Sequence, residues 1–233
     1  MSDNIHTDQA IEEFRRGNKA NLRRLAIEMA HQRGLSPDNE YPPVKAVIFE
    51  LDGVLVDTSK AANYIVEAMR SHDWRIVTHL IPDFKPYKGV NGLLDWLRIR
   101  GIKIGVVTSR PEVHAKKVLE HFSLSKIEDV LVPYHGTQDK YRPHKYKPHP
   151  GPLVKAMGIL GVKPEEVVSV GNKEGDMIAG LLAATRYTTI NNESSSRNEW
   201  EKFYRSSSGY LPPMTFRDLR SYLEDSSGGK RCR

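Results

Sequence analysis

The sequence predicts an α/β fold, a Rossmann-like parallel sheet with helices on both faces, and three features predict it. Short apolar runs recur between residues 44 and 190. Helical patterns of about 10 to 15 residues separate them, which is the rhythm of strand–helix–strand units. The runs are apolar on both faces and end in turns, as strands covered from both sides must be. In such a sheet, ligands bind at the carboxyl ends of the strands, so the residues found there bear most directly on function.

The elements follow in order. Residues 8–33 read as an amphipathic helix, with Ile11 and Phe14 three apart and Leu22, Leu25 and Met29 at steps of three and four. Ile27 falls off that stripe, a break is expected near Gly17 and Asn18, and Gly34 is a C-terminal stop. The turn-forming stretch 36–43 is a linker. A strand at 44–49 then stops at an acidic turn, 50–53, and a helix fits 59–71. In the helix at 89–100, Val90, Leu93, Leu94 and Leu97 fall at i, i+3, i+4 and i+7, with Trp96 on the flank. A strand at 102–107 ends at Thr108, and Pro111 suits the first turn of a helix at 111–122. A short strand at 130–132, a helix at 150–160 closed by Gly161, and a strand at 167–170 ending at Gly171 come next. A helix at 176–184, a short strand at 188–190 and helices at 198–204 and 215–223 complete the pattern. Serine runs at 194–196 and 206–208 and the tail 225–233 are flexible or linker-like. The division expected is a helical extension and linker at 1–43, the core at 44–192, and C-terminal helices with a tail at 193–233.

Composition sets the outer limits. The chain has 233 residues, 39% of them hydrophobic, enough for a proper core. Its single cysteine, Cys232, cannot staple a fold, so a cytoplasmic or other reducing compartment is expected. No run approaches the roughly 18 apolar residues of a membrane span, and the start lacks the basic and apolar regions of a secretory signal. Membrane, disulfide-rich secreted and collagen-like classes are thereby excluded. A net charge of +6 leans toward anionic partners.

The strand ends gather reactive side chains. Glu50 and Asp52 straddle the end of the first strand, and Gly53 permits the tight turn between them and the next segment. One carboxylate is suited to nucleophilic attack or metal ligation and the other to general acid/base work. The second strand ends in Thr108, Ser109 and Arg110 just before a helix, where hydroxyls and free amides make an anion site. Lys147 precedes another helix and brings a positive charge. Asn172 and Asp176 follow the later strand. Together they describe a magnesium-assisted phosphoryl-transfer site.

These segments resemble the haloacid dehalogenase superfamily, particularly its phosphoglycolate-phosphatase-like hydrolases. VIFELDGVLVDT resembles the first motif, GVVTSR the second, KPHPGPLVKAMGILGV the lysine motif and VVSVGNKEGDMIAG the acidic fourth. The resemblance covers residues 44–192, with four motifs in the expected order. It implies that Glu50 takes the position of the nucleophilic aspartate and Asp52 that of the general acid/base, whose backbone carbonyl also helps hold Mg²⁺. It further implies that Thr108 and Lys147 orient and neutralise the phosphoryl oxygens, with Gly53, Ser109 and Arg110 as substrate contacts. The metal set is then Glu50, Asp52, Asn172 and Asp176.

Two positions depart from the family pattern. Glu50 stands where an aspartate is expected, moving the carboxylate by roughly 1 Å, and a misplacement of that order can cost about 100-fold in rate. Asn172 stands where the fourth motif has its first aspartate; it keeps an oxygen ligand but loses a negative charge, which weakens cation binding. Weakened phosphomonoester hydrolysis is one expectation. The other is an inactive pseudophosphatase that binds a phosphorylated ligand, a protein or a nucleic acid.

The segment between the first motif and the next helix is short, so a capless or minimally capped protein with an open site is expected, suited to a phosphorylated small molecule or macromolecule. The loop 134–149 interleaves Lys140, Arg142, Lys145 and Lys147 with Tyr134, Tyr141 and Tyr146 and with His135, His144 and His149. It reads either as a solvated basic loop or as a nucleic-acid contact. Its histidines lack zinc spacing. The basic face of helix 8–33, with Arg15, Arg16, Lys19, Arg23 and Arg24, reads either as solvated surface or as a docking face for a protein or nucleic acid. Trp74, Trp96 and Trp200 are expected to be packing residues.

Overall fold

The computed structural model of the protein describes residues 2–32, 41–124, 129–134, 147–190, 211 and 214–227. Its centre is a five-stranded, all-parallel sheet built from β1 (Ala46–Phe49), β4 (Lys103–Pro111), β5 (Val130–Tyr134), β6 (Val167–Gly171) and β7 (Arg186–Thr189), in the order β5-β4-β1-β6-β7. All five expected strands are present, and β1 lies in the middle. Alternation along β1 divides the core: Val47 and Phe49 face one side, Ala46 and Ile48 the other. The first side is covered by α5 (Val90–Ile99), α6 (Glu112–His121) and α9 (Phe216–Ser227), which contribute Leu93, Leu97, Val118 and Leu219. The second is covered by α7 (Gly151–Leu160) and α8 (Glu174–Leu182), which bring Leu153, Met157 and Ala179.

The expected long N-terminal helix is a hairpin of α1 (Ser2–Arg15) and α2 (Lys19–Gln32), broken at Gly17, whose φ of +68° suits glycine. Ala10, Ile11, Leu22, Leu25 and Met29 pack on Met177, Ile178 and Leu181 of α8, adding a layer outside the sheet. Two arginines of its basic face pair locally, Arg16 with Glu12 at 3.1 Å and Arg24 with Glu28 at 2.9 Å.

Between β1 and α5 the chain makes a two-stranded antiparallel ribbon, β2 (Val56–Asp57) with β3 (Lys85–Pro86). Only a 3₁₀ turn, Ser59–Ala61, the helices α3 (Ala62–Ser71) and α4 (Arg75–His79), and a second 3₁₀ turn, Ile81–Asp83, lie between them. The cap is therefore minimal, as the short segment implied. Several boundaries differ from expectation by a few residues, two of them near the site or at the sheet edge. Pro111 ends β4 and precedes α6 instead of opening it, and β7 starts at Arg186, two residues before the expected strand. The helix expected at 198–204, the loop 135–146, the 36–40 part of the linker, the serine runs and Cys232 lie outside the described residues. No helix among the described residues is long and apolar enough to cross a membrane.

Candidate active site

Glu50 is set by the sheet. It directly follows β1, its N–H donates to the Val170 carbonyl at 2.9 Å, and its side chain is buried. The chain then makes a single tight turn. The Leu55 and Val56 amides donate to the Leu51 carbonyl at 3.0 and 3.1 Å, and the Gly53 amide donates to the Val56 carbonyl at 2.8 Å. Gly53 has φ +74°, and a Cβ there would lie 2.0 Å from Asn172 Nδ2. Both the backbone sign and the close approach require glycine.

Lys147 links three elements. Its ammonium donates to Glu50 Oε2, to the Val107 carbonyl at 3.1 Å and to Asp176 Oδ1 at 2.7 Å. Asp176 Oδ2 accepts from the Asn172 and Lys173 amides at 3.1 and 3.0 Å, so the same carboxylate caps the start of α8. Burial pushes the Lys147 ammonium below the ordinary lysine range, with the Asp176 charge working against it. Burial alone would raise Asp176, but the Lys147 charge and the two amides hold it below the usual carboxylate value. Asn172 Oδ1 is buried with no hydrogen-bond partner among the described residues.

At the second strand end Arg110, expected as a substrate contact, borders the cleft. Its side chain is buried and closes a bidentate pair on Asp52, Nε to Oδ2 at 2.7 Å and Nη2 to Oδ1 at 2.6 Å. Its remaining nitrogen, Nη1, lies 2.7 Å from His114 Nδ1, and the guanidinium sits 5.6 Å from the Trp74 ring centroid and 5.5 Å from that of Phe84. Burial, then the Arg110 charge, pushes the His114 imidazole down to about 4, so it is neutral and accepts from Arg110. A guanidinium is suited to this role because its planar fork matches a carboxylate. An irregularity in the β4–β5 register between Val107 and Pro111 spans this stretch. Thr108 is buried and its Oγ1 accepts from the Arg110 amide at 3.2 Å, while Ser109 lines the cleft above.

The strand ends open into a cleft of about 560 Å³. Glu50, Asp52, Ser109, Lys147, Asn172 and Asp176 are all on its lining. The first, second, lysine and fourth motifs thus converge on one cleft, with the side chain of Thr108 packed beneath. The opposite wall, which sequence reading did not foresee, is apolar: Ala62, Ile65, Val66 and Met69 of α3, with Trp74 and with Phe14 of α1. The spacing along 62–69 carried a signal for the α3 stripe, but not which way it faced. For Phe14 the only signal was its place on the stripe with Ile11, which reads as packing. Loop residues 135–146 contribute nothing that can be placed here, since they lie outside the described set.

Comparison with known proteins agrees with this arrangement. The chain is 33% identical over 106 residues to the pyrophosphatase PpaX of Halalkalibacterium halodurans, covering 46% of each chain. It is 32% identical over 136 residues to the phosphoglycolate phosphatase of Aquifex aeolicus, covering 58% of this chain and 59% of that one. The chain thus spans about half the length of these curated relatives. The crystal structure of an HAD phosphatase from Thermococcus onnurineus superposes with a TM-score of 0.58 at 21% identity, over 81% of this chain and 100% of the other, a likeness of fold. A family model described as haloacid dehalogenase-like hydrolase matches residues 71–190, from α3 through β7 and so beyond Glu50 and Asp52. With that match spanning half the chain, and with the parallel sheet and its converging motifs, the protein belongs to the haloacid dehalogenase-like hydrolase family.

Proposed function

We propose that this chain hydrolyses phosphoesters through Glu50, with chemistry slower than that of an aspartate-bearing relative. The observation that carries the reading is the placement of Glu50 at the end of the central strand, on the cleft floor and in contact with the ammonium of Lys147. A Glu50 oxygen attacks phosphorus as the phosphorus–ester oxygen bond breaks, the leaving oxygen takes a proton from Asp52, and water then cleaves the resulting acyl phosphate, returning a proton to Asp52. Lys147 and the Ser109 hydroxyl meet the phosphoryl oxygens. Asp52 lines the same cleft and is fixed in place by its two hydrogen bonds from Arg110. The extra methylene of Glu50 supports the slower rate.

The donor set suits a hard divalent cation such as Mg²⁺. Asn172 Oδ1 is a buried oxygen with no partner among the described residues, and it shares the cleft lining with two carboxylates, Glu50 and Asp176. These three residues would hold the ion, and a bound Mg²⁺ supplies charge neutralisation for the phosphoryl group. Affinity is expected to be low. Lys147 already bridges the two carboxylates, Asp52 is turned onto Arg110, and no cluster of three or more acidic, histidine or cysteine side chains suited to a metal forms among the described residues.

A second reading is favoured by the same closure of charge. Glu50, Asp52 and Asp176 each already have a cationic partner, which suits a pseudophosphatase that binds a phosphorylated ligand without turnover. Hydrolysis of p-nitrophenyl phosphate with Mg²⁺ separates the two. Wild type is expected to be active, Glu50→Ala to lose at least 100-fold, and the double variant Glu50→Asp with Asn172→Asp to exceed wild type. Activity confined to the double variant would sink the hydrolytic reading for the natural chain.

A further inference from the structure

The cleft has two chemically distinct halves, and the second restricts what the first receives. Charged side chains gather at the strand ends and the start of α8, and Thr58, Ser59 and Tyr87 add hydroxyls to the lining. On the same lining, Ala62, Ile65, Val66 and Met69 fall at i, i+3, i+4 and i+7 on α3 as one apolar stripe, continued by Trp74 and by Phe14 of α1. Val66 and Met69 are 46% and 44% exposed, so the stripe is not consumed by packing. Large apolar side chains at that exposure, lining a cavity of about 560 Å³ joined to a phosphate-sized polar floor, form a site of small-molecule dimensions.

From this we infer that the substrate is a phosphate monoester whose alcohol is a flat, largely apolar body of one or two fused rings, with its phosphate on Lys147 and its rings against α3, Trp74 and Phe14. The inference rests on the phosphoester reading of the floor and specifies its substrate class. A sugar phosphate or a second phosphate would place hydroxyls or charge against Ile65, Val66 and Met69, which offer no hydrogen bond. Polar groups stripped of water without a partner are strongly disfavoured. Methionine and aromatic side chains accommodate planar apolar rings well. The shortness of the cap strengthens the point: among the described residues, α3 and Trp74 are a main apolar surface the alcohol can meet.

The test uses phosphonates, which bind without being turned over. Titration calorimetry with Mg²⁺ compares methylphosphonate with (1-naphthylmethyl)phosphonate on wild type and on the double variant Val66→Ser with Met69→Ser. Both changes are at exposed positions, and circular dichroism checks that the fold is kept. Wild type is expected to bind the naphthyl compound at least about tenfold more tightly than the methyl compound. The variant should lose most of that preference and keep its affinity for methylphosphonate. Equal affinities in wild type, a preference that survives the double variant, or no binding of either compound overturns the inference. Turnover of 1-naphthyl phosphate, measured alongside, keeps the two readings apart. Selective phosphonate binding without turnover defeats hydrolysis and leaves the apolar subsite. Hydrolysis of p-nitrophenyl phosphate without naphthyl selectivity does the reverse.

Discussion

Behind Asp52, His114 is a group whose charge state the fold dictates. It is buried, neutral and 2.7 Å from a guanidinium, with its pKa pressed from an ordinary 6.5 to about 4. As pH falls, an unfolded chain therefore takes up this proton before a folded one does. The contribution to stability is complete above about 6.5 and is withdrawn as pH falls toward 4. It amounts to roughly 3 kcal/mol at most. His114→Gln keeps an acceptor for Arg110 but cannot titrate. Urea unfolding between pH 7 and pH 4 should show the wild type losing stability more steeply than the variant; equal slopes would count against the assignment. The same group shows what sequence could and could not reveal. Glu50, Asp52 and Asn172 were legible because each follows a strand whose apolar run can be counted, and Lys147 and Asp176 because of their places around the starts of the helices α7 and α8. The Asp52–Arg110 pair was not, because it joins residues 58 apart. A guanidinium's reach depends on what surrounds it, here Trp74, Phe84 and His114, and no spacing rule brings those three together.

At the scale of elements, the α1–α2 hairpin is held to α8 by a small apolar interface. Leu25 is fully enclosed there with Met177, Ile178 and Leu181 as members of the same cluster. Leu25→Ala should cost about 2–4 kcal/mol, because the cavity it leaves is lined by side chains that collapse only in part. A thermal melt of the full chain is the measurement, and an unchanged midpoint would mean that the hairpin is docked loosely. Periodicity exposed these elements well where it was long and one-sided, as in α5, or unbroken and apolar, as in β1. It failed for β2 and β3, because two-residue strands carry no period, and for α4, a single turn and a half. Their existence depends on the ribbon pairing Val56 with Pro86 and Asp57 with Lys85, a tertiary fact.

For the whole molecule, one side chain ties distant parts of the chain together. Arg186 in β7 is fully buried. It donates to the Pro42 carbonyl at 3.0 Å, the Glu165 carbonyl at 2.9 Å and the Tyr222 hydroxyl at 3.1 Å, with its guanidinium 5.1 Å from the Tyr41 ring centroid. The approach to β1, the turn before β6 and the helix α9 thereby meet at one point. Arg186→Leu would leave carbonyls buried without donors and should lower stability by roughly 2–4 kcal/mol. Its melt should broaden as α9 loosens ahead of the sheet, and a sharp transition at the wild-type temperature would refute this. The hairpin outside the sheet carries a different consequence. Because Phe14 reaches the cleft from α1, a version of this protein trimmed to its sheet and covering helices would retain every charged group on the floor and still be a different receptor. The smallest piece that folds and the smallest piece that chooses are not the same piece. Drift in an N-terminal helix far from any reacting atom can retune what the cleft admits.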